Sequence, residues 1–242
     1  MNSIPTVTKN LLIINVLCFF GGVVAMKYGI NLNDLLGLHF FMASDFNPAQ
    51  LITYMFMHGG FQHIFFNMFA LWMFGRTLEQ VWGPKRFLFY YMICGIGAGL
   101  VQELVTGVRY MSAEAALSPE AIETVYREGA GLLKSHMNFA DPLLGNFNLT
   151  LNGSTVGASG AIYGILLAFG MLFPNSQMFV FPVPFPIKAK YFVMGYAALE
   201  IFLGFGASAD GIAHFAHLGG MIFGFILIMY WRKKNNNGQF YY

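Results

Sequence analysis

Residues 212–231 read IAHFAHLGGMIFGFILIMYW, a stretch with no Lys, Arg, Asp or Glu. At about 1.5 Å of rise per residue, a helix of about 20 apolar residues crosses the roughly 30 Å hydrocarbon core of a bilayer. Five further apolar runs precede it, approximately Leu11–Met26, Phe61–Trp82, Phe87–Val108, Ala158–Phe173 and Tyr191–Ala207. The second is the least clean, because Arg76 and Glu79 sit near its end. Composition agrees with these spans. Of 242 residues 57% are apolar and 10% are charged, against about 25% charged in soluble domains. So few charges cannot coat a soluble globule. The sequence therefore predicts an all-α fold, a polytopic membrane protein of six transmembrane helices forming a single membrane-embedded domain over residues 1–242.

The formal charge of +2 excludes a polybasic nucleic-acid binder and an acidic disordered tail. Cys18 and Cys94 both lie inside apolar runs and offer neither a disulfide framework nor metal-ligand spacing. Lys and Arg set the expected orientation. With the N-terminus cytoplasmic, nine of the thirteen fall on the inner side. Lys27, Arg109, Arg127 and Lys134 fall outside. Both termini are thus expected in the cytoplasm. The first span follows one Lys and lacks a small-residue cleavage site, so it is expected to be retained. With no sign of a mitochondrial transit peptide, a prokaryotic-type plasma membrane is the expected location.

Between the spans, Gly29–Gly60 carries an amphipathic pattern suited to the membrane interface. An extended extracytoplasmic segment covers 108–156. Within it, Ser118 is a candidate N-cap, Pro119 opens the first turn, and a polar helix runs to Lys134. Asn138–Ser154, rich in Asn and Gly, is expected to be a loop. Glu114, Glu120, Glu123 and Glu128 suggest a solvated cap or a partner surface. Pro174, Pro182, Pro184 and Pro186 deny Pro174–Ile187 a helix, leaving an interfacial connection. Asn235–Gly238 is the only low-complexity piece.

The polar residues carry the functional signal. In this topology spans two, four and six all run inward, so their N-terminal ends share one outer level. Span two opens with His58, His63 and Asn67, of which His63 and Asn67 lie on one helix face. Span four opens with Gly157, Ala158, Ser159 and Gly160, followed by Tyr163 and Gly164. Span six carries His214 and His217, the latter on the order of 7–8 Å along the axis from the start. Ser159, His217, His63 and Asn67 can therefore occupy one layer beneath the outer surface. Polar groups at that depth are costly unless paired or wetted. Taken singly they have plainer readings. A lone helical Ser usually bonds its own backbone, His63 and Asn67 suit interhelical packing, and His214 with His217 could be a metal pair. Gly160/Gly164 and Gly220/Gly224 form small-xxx-small faces on the helices that carry Ser159 and His217. Such faces let two backbones approach closely.

These residues resemble the rhomboid intramembrane serine proteases. Gly157-Ala158-Ser159-Gly160 looks like the family's GxSG nucleophile motif, and Ala216-His217-Leu218-Gly219-Gly220 through Gly224 its AHxxGxxxG motif. His58, His63 and Asn67 fit HxxxxHxxxN, and Glu79 with Gly83 fits ExxxG. The resemblance covers roughly His58–Phe225. It implies Ser159 as nucleophile and His217 as general base, a dyad with no acidic third member. It further implies an oxyanion hole of His63, Asn67 and the Ser159 N–H, with Tyr163 packed on the His217 ring. His58 and Glu79 would be structural. Transmembrane protein segments would be the substrates, with no metal, no cofactor and no nucleic acid. Substrates with Gly, Ala, Ser or Pro near their outer ends are expected, because a helical carbonyl must leave its hydrogen bond to be attacked. Family members often carry a Trp-Arg pair in the first outer loop, whereas Gly29–Gly60 contains neither residue.

Two alternatives belong to other classes. A metal-dependent enzyme or transporter would use His58, His63, His214 and His217, although no HExxH occurs. A non-catalytic binder of membrane proteins would be expected to lack Ser159 or His217. Span five, with Gly195, Gly204 and Gly206, is a candidate gate. Glu200, midway along it, is unusual in a bilayer and is expected to face the interior and bond a neighbour. Asp210 lies about two turns before His217, too far for a third-member role.

Overall fold

The computed structural model describes residues 3–179, 185–205 and 213–234. Pro182, Pro184, Gly206, Ala207, Asp210, Ile212 and the run Asn235–Gly238 lie outside the described residues. The chain is almost wholly helical. The first long helix, α1, covers Thr6–Met26. Short α2 (Leu32–Leu36) and α3 (Gln50–Thr53) follow, the latter continuing as a 3₁₀ turn over Tyr54–Phe56. The second run is a composite of α4 (Phe61–Ala70), a π-helical turn over Leu71–Gly75, and α5 (Arg76–Trp82). Then come α6 (Pro84–Glu114), α7 (Pro119–Lys134), α8 (Pro142–Asn152), α9 (Ser159–Leu172), α10 (Ala189–Phe205) and α11 (His214–Lys234). Two short antiparallel ladders complete the fold. β1 (Leu38–His39) pairs with β2 (Ser154–Thr155), and β3 (Gln177–Met178) with β4 (Ile187–Lys188).

Each of the six apolar runs is helical in its described residues apart from one or two at the ends. Among the described helices, α1, α6 and α11 are individually long and apolar enough to cross a bilayer. The α9 helix has 14 residues, about 21 Å at 1.5 Å per residue. It is shorter than a bilayer core, and its neighbours enclose it. Ala161, Ile165 and Ala168 on it are at most 1% exposed.

Packing at the centre depends on small residues. A methyl added at Gly220 would fall on the Gly160 backbone, and one at Gly97 would enter the Phe223 ring. The glycine faces of α9 and α11 therefore meet directly, but they also receive a third helix. Beside Gly164 lies Cys94 of α6, and beside Gly224 lie Tyr90 and Cys94. Tyr90 donates to the Gly164 carbonyl at 2.8 Å. At the other end of the bundle the Arg86 guanidinium sits 4.0 Å above the Trp231 ring. Trp231 in turn packs edge-on against Trp82.

Two connections have clear chemical causes. Gly83 adopts φ 78°, the left-handed region, and Pro84 starts α6 one residue later. Glu79 reaches across to the start of α1. Its carboxylate accepts from the Val7 N–H (2.9 Å), the Thr8 N–H (2.7 Å) and the Thr8 hydroxyl (2.7 Å). An anion there satisfies orphan N–H groups and complements the helix dipole.

The segments between the long helices differ from expectation in one place. Asn138–Ser154 is not a loop, because Pro142–Asn152 form α8. The Asp141 side chain accepts from the Leu143 and Leu144 N–H groups, and Pro142 fills the first turn. Fully buried Asn148 donates to the Gly129 carbonyl and the Asn138 side chain. Asn148 thus ties α8 to α7. Ser118 caps α7 as expected, accepting from the Ala121 N–H at 3.3 Å. Phe40, Tyr110, Val125, Phe147 and Leu151 make a second small core here, separate from the main one.

The first loop has no Trp-Arg pair but is anchored otherwise. Gln50, 3% exposed, accepts from the His39 and Asn47 N–H groups and donates to the Leu35 and Asp45 carbonyls. Lys134 of α7 adds an ion pair to Asp45 at 2.7 Å. That bond holds the Lys134 ammonium above its ordinary pKa.

Candidate active site

The segment Ser154–Gly160 presents the first functional group. Gly157 adopts φ 135°, and a Cβ there would stand 2.8 Å from the His63 ring. Only glycine meets both demands. The Gly157 N–H donates to the Tyr54 carbonyl at 2.9 Å, fixing the turn that delivers Ser159 to the first position of α9. From α11, His217 meets it. Ser159 Oγ and His217 Nε2 are 2.8 Å apart. That separation is possible because Gly160 and Gly220 bring the two helices into backbone contact.

Tyr163, one turn along α9, lies flat against the imidazole of His217, with ring centroids 4.2 Å apart and planes 8° from parallel. From α4 come His63 and Asn67. The Gly59 N–H donates to His63 Nδ1 at 3.3 Å. This assigns the His63 proton to Nε2, the nitrogen that abuts Gly157. Asn67 is 6% exposed, and its amide nitrogen has no hydrogen-bond partner among the described residues. A buried unpaired donor is costly, and this one borders a cavity of 820 Å³ lined also by His63, Ser159, Gly160 and His217. Gly59, Gln62, Ser154 and Thr155 line the same cavity. Buried His58 stands apart from Ser159, its ring edge-on to His63 at 5.1 Å.

One partner of this group was not assigned by sequence pattern. Glu200 of α10 is 4% exposed. It accepts from the Tyr163 hydroxyl through Oε1. Its Oε2 accepts from His214 Nδ1 at 2.6 Å and lies 3.0 Å from His217 Nδ1. The last contact has hydrogen-bond length without hydrogen-bond alignment. The available signal was a carboxylate within an apolar span, a costly placement that calls for a partner. Its three partners lie on two other helices, so no sequence spacing identifies them.

His58, His63, His214 and His217 do not form one cluster. Among the described residues, the set of three ligand-type side chains within reach of each other is Glu200, His214 and His217, with atoms within 4.8 Å.

A helical bundle with a serine and a histidine from different helices in contact beside a cavity defines a class of polytopic membrane protein. The sequence matches the rhomboid domain family over residues 46–234, and the chain belongs to that family. It is 27% identical over 196 residues to Rhomboid protein 1, mitochondrial, of Saccharomyces cerevisiae, covering 77% of this chain and 43% of that protein. It is 25% identical over 234 residues to Rhomboid protease GluP of Bacillus subtilis, covering 93% of this chain and 34% of that protein. With RHOMBOID-like protein 4 of Arabidopsis thaliana it shares 26% identity over 178 residues, covering 74% of this chain and 32% of that protein. The chain thus spans between about a third and under half of the length of these relatives.

Proposed function

We propose that this protein is an intramembrane serine endopeptidase. It cleaves peptide bonds in or next to the outer ends of substrate transmembrane helices. The observation that carries this reading is the 2.8 Å contact between Ser159 Oγ and His217 Nε2 at the wall of an 820 Å³ cavity that His63 and Asn67 also line. A serine hydroxyl is a weak nucleophile until an adjacent base takes its proton. Imidazole does this near neutral pH.

The steps balance as follows. The Ser159 Oγ–C bond forms as its proton passes to His217 Nε2. His217 then gives that proton to the leaving amine as the C–N bond breaks. Water, deprotonated by the same nitrogen, splits the acyl-enzyme and restores the hydroxyl. The oxyanion formed in each addition is met by the Asn67 amide, the His63 Nε2–H and the Ser159 N–H. The unpaired Asn67 nitrogen and the His63 tautomer support this assignment. Fixed donors in such a site are worth about 10²–10³ in rate each.

The short α9 supports a recessed site. At about 21 Å it falls roughly 9 Å short of a hydrocarbon core, so the nucleophile at its first residue lies within the bundle. The cavity supplies the water that hydrolysis needs. Both termini lie in the cytoplasm, by the excess of Lys and Arg on that side, and 108–156 is extracytoplasmic. The α10 helix is the substrate gate, held at Glu200 and otherwise lightly covered, with Phe202 74% and Phe205 80% exposed.

The test is cleavage of a model transmembrane substrate by purified protein in liposomes, with fluorophosphonate labelling of Ser159. Ser159→Ala is expected to abolish labelling and to lower cleavage at least about 10³-fold, with unfolding temperature unchanged. Full cleavage by this variant overturns the serine mechanism. Sensitivity to chelators combined with absent labelling favours a metal enzyme instead.

A further inference from the structure

We propose that Glu200 is the acid partner of the Ser159–His217 pair, its Oε2 holding the Nδ1–H of His217 while Nε2 takes the serine proton. The inference rests on the serine-protease reading above and extends it from two side chains to three. Glu200 is then a positioning residue, acting through His217 and never touching the substrate.

Geometry carries it. A carboxylate within the apolar part of a membrane bundle is expensive, and its presence asks for a compensating interaction. Among the described residues, the side chains bonded to or paired with Glu200 are Tyr163, His214 and His217. Tyr163 donates to Oε1, and the same Tyr163 ring lies 4.2 Å from and nearly parallel to the His217 imidazole. Oε2 is 3.0 Å from His217 Nδ1, and His217 Nε2 is 2.8 Å from Ser159 Oγ. Carboxylate, imidazole and hydroxyl therefore follow one another in the order that orients a general base. Tyr163 fixes the ring plane, and Glu200 determines which nitrogen carries the proton at rest. With Nδ1 protonated, Nε2 presents its lone pair to the hydroxyl.

The present Nδ1 to Oε2 contact is short but misaligned. Such contacts often tighten only once charge develops. When His217 takes the serine proton it becomes an imidazolium with N–H at both positions. Its attraction to the ionised Glu200 rises at that moment and falls when the proton leaves with the amine. Glu200 remains a carboxylate throughout.

His214 shares Oε2 at 2.6 Å, which raises two other roles for Glu200. In one, Glu200 only fastens α10 to α11 through His214. In the other, Glu200, His214 and His217 hold a metal ion. A metal on His217 Nδ1 leaves the proton on Nε2, and that nitrogen can then no longer accept one from Ser159. Metal occupancy and general-base function are thus mutually exclusive, and the experiment separates them. Among the described residues, the titratable groups facing His217 are Ser159 and Tyr163 from α9, Glu200 from α10, His214 on its own helix and His63 across the cavity from α4.

The full chain is measured in liposomes, as wild type, Glu200→Gln and Glu200→Asp. The readouts are fluorophosphonate labelling rate, kcat and KM for a transmembrane substrate, and the pH profile of kcat. Glu200→Gln keeps the size and hydrogen-bonding capacity of the side chain. It is expected to lower labelling and kcat by about 10²-fold or more with KM within about twofold. The acid limb of its profile moves to lower pH, because the imidazolium loses its counter-charge. Glu200→Asp is expected to recover part of kcat. If Glu200→Gln matches wild type in kcat and acid limb, or loses activity only in proportion to unfolded protein, the proposal is overturned.

Should both variants fail to fold, wild-type protein phosphonylated at Ser159 decides. Proton NMR with ¹⁵N-histidine is expected to show a strongly downfield Nδ1–H on His217, and its absence overturns the proposal. Loss of labelling on chelation with recovery on adding zinc also overturns it. Wild-type protein that fluorophosphonate never labels refutes the serine-protease reading itself, a result distinct from all of these.

Discussion

Two carboxylates, Glu79 and Glu200, are each 4% exposed, yet they are satisfied in opposite ways. Glu79 accepts from two backbone N–H groups and a threonine hydroxyl at the start of α1. None of those donors gives up its proton near neutral pH, and none touches Ser159 or His217 in the structure. Glu200 faces a tyrosine and two histidines, one of which contacts Ser159. The difference separates a fastening from a chemical device. A buried charge held by the backbone pins two helices. A buried charge held by imidazoles can respond when one of them gains a proton.

The contrast can be broken first at Glu79. Glu79→Ala leaves the N–H groups of Val7 and Thr8 without their acceptor. Leaving a buried donor unsatisfied typically costs about 1–3 kcal/mol. Thermal unfolding in micelles is expected to show that loss, while labelling per folded molecule stays within about twofold of wild type. Lost labelling at full stability would mean that Glu79 also belongs to the chemistry.

Asn67→Ala sharpens the other half. It removes one donor from the cavity and leaves the Glu200 cluster intact. Cleavage is expected to fall about 10²-fold with unfolding temperature nearly unchanged, since the lost amide nitrogen has no described partner to orphan. A large stability loss in this variant would reassign Asn67 to packing.

The smallest effect lies at the exposed ion pair of Lys134 and Asp45, 48% and 33% exposed. Such pairs are worth about 0–1 kcal/mol after solvent screening, so Lys134→Met is expected to change stability by less than about 1 kcal/mol. The Lys134 pKa is raised in the folded protein. Its contribution is therefore complete below the ordinary lysine value near 10.4 and is lost as pH rises through the folded value. Chemical denaturation at pH 8 and above pH 11 measures the difference.

Much of this was legible in the residues. Apolar length located the helical runs, and cap chemistry located α7 at Ser118 and Pro119. The same signal, Asp141-Pro142, was present before α8 but was outweighed by the Asn and Gly content of 138–154. One of them, Asn148, is a buried partner of α7, and composition does not distinguish a buried amide from a solvated one. The site was legible where its groups sit within a few residues of each other, as Gly157, Ser159, Gly160 and Tyr163 do. Glu200 was visible as an anomaly, but its partners were not. Its position relative to His217 depends on how α9, α10 and α11 pack, and that is decided by the Gly160–Gly220 contact.

The ladder between Leu38–His39 and Ser154–Thr155 carries a mechanical implication. Its second strand ends two residues before Gly157 and four before Ser159, so the first loop and Ser159 share a single splint. Any ligand that tugs on the loop near His39 also pulls on the turn presenting the hydroxyl. Inhibitors aimed at that outer face could then distort the reactive geometry without ever entering the cavity.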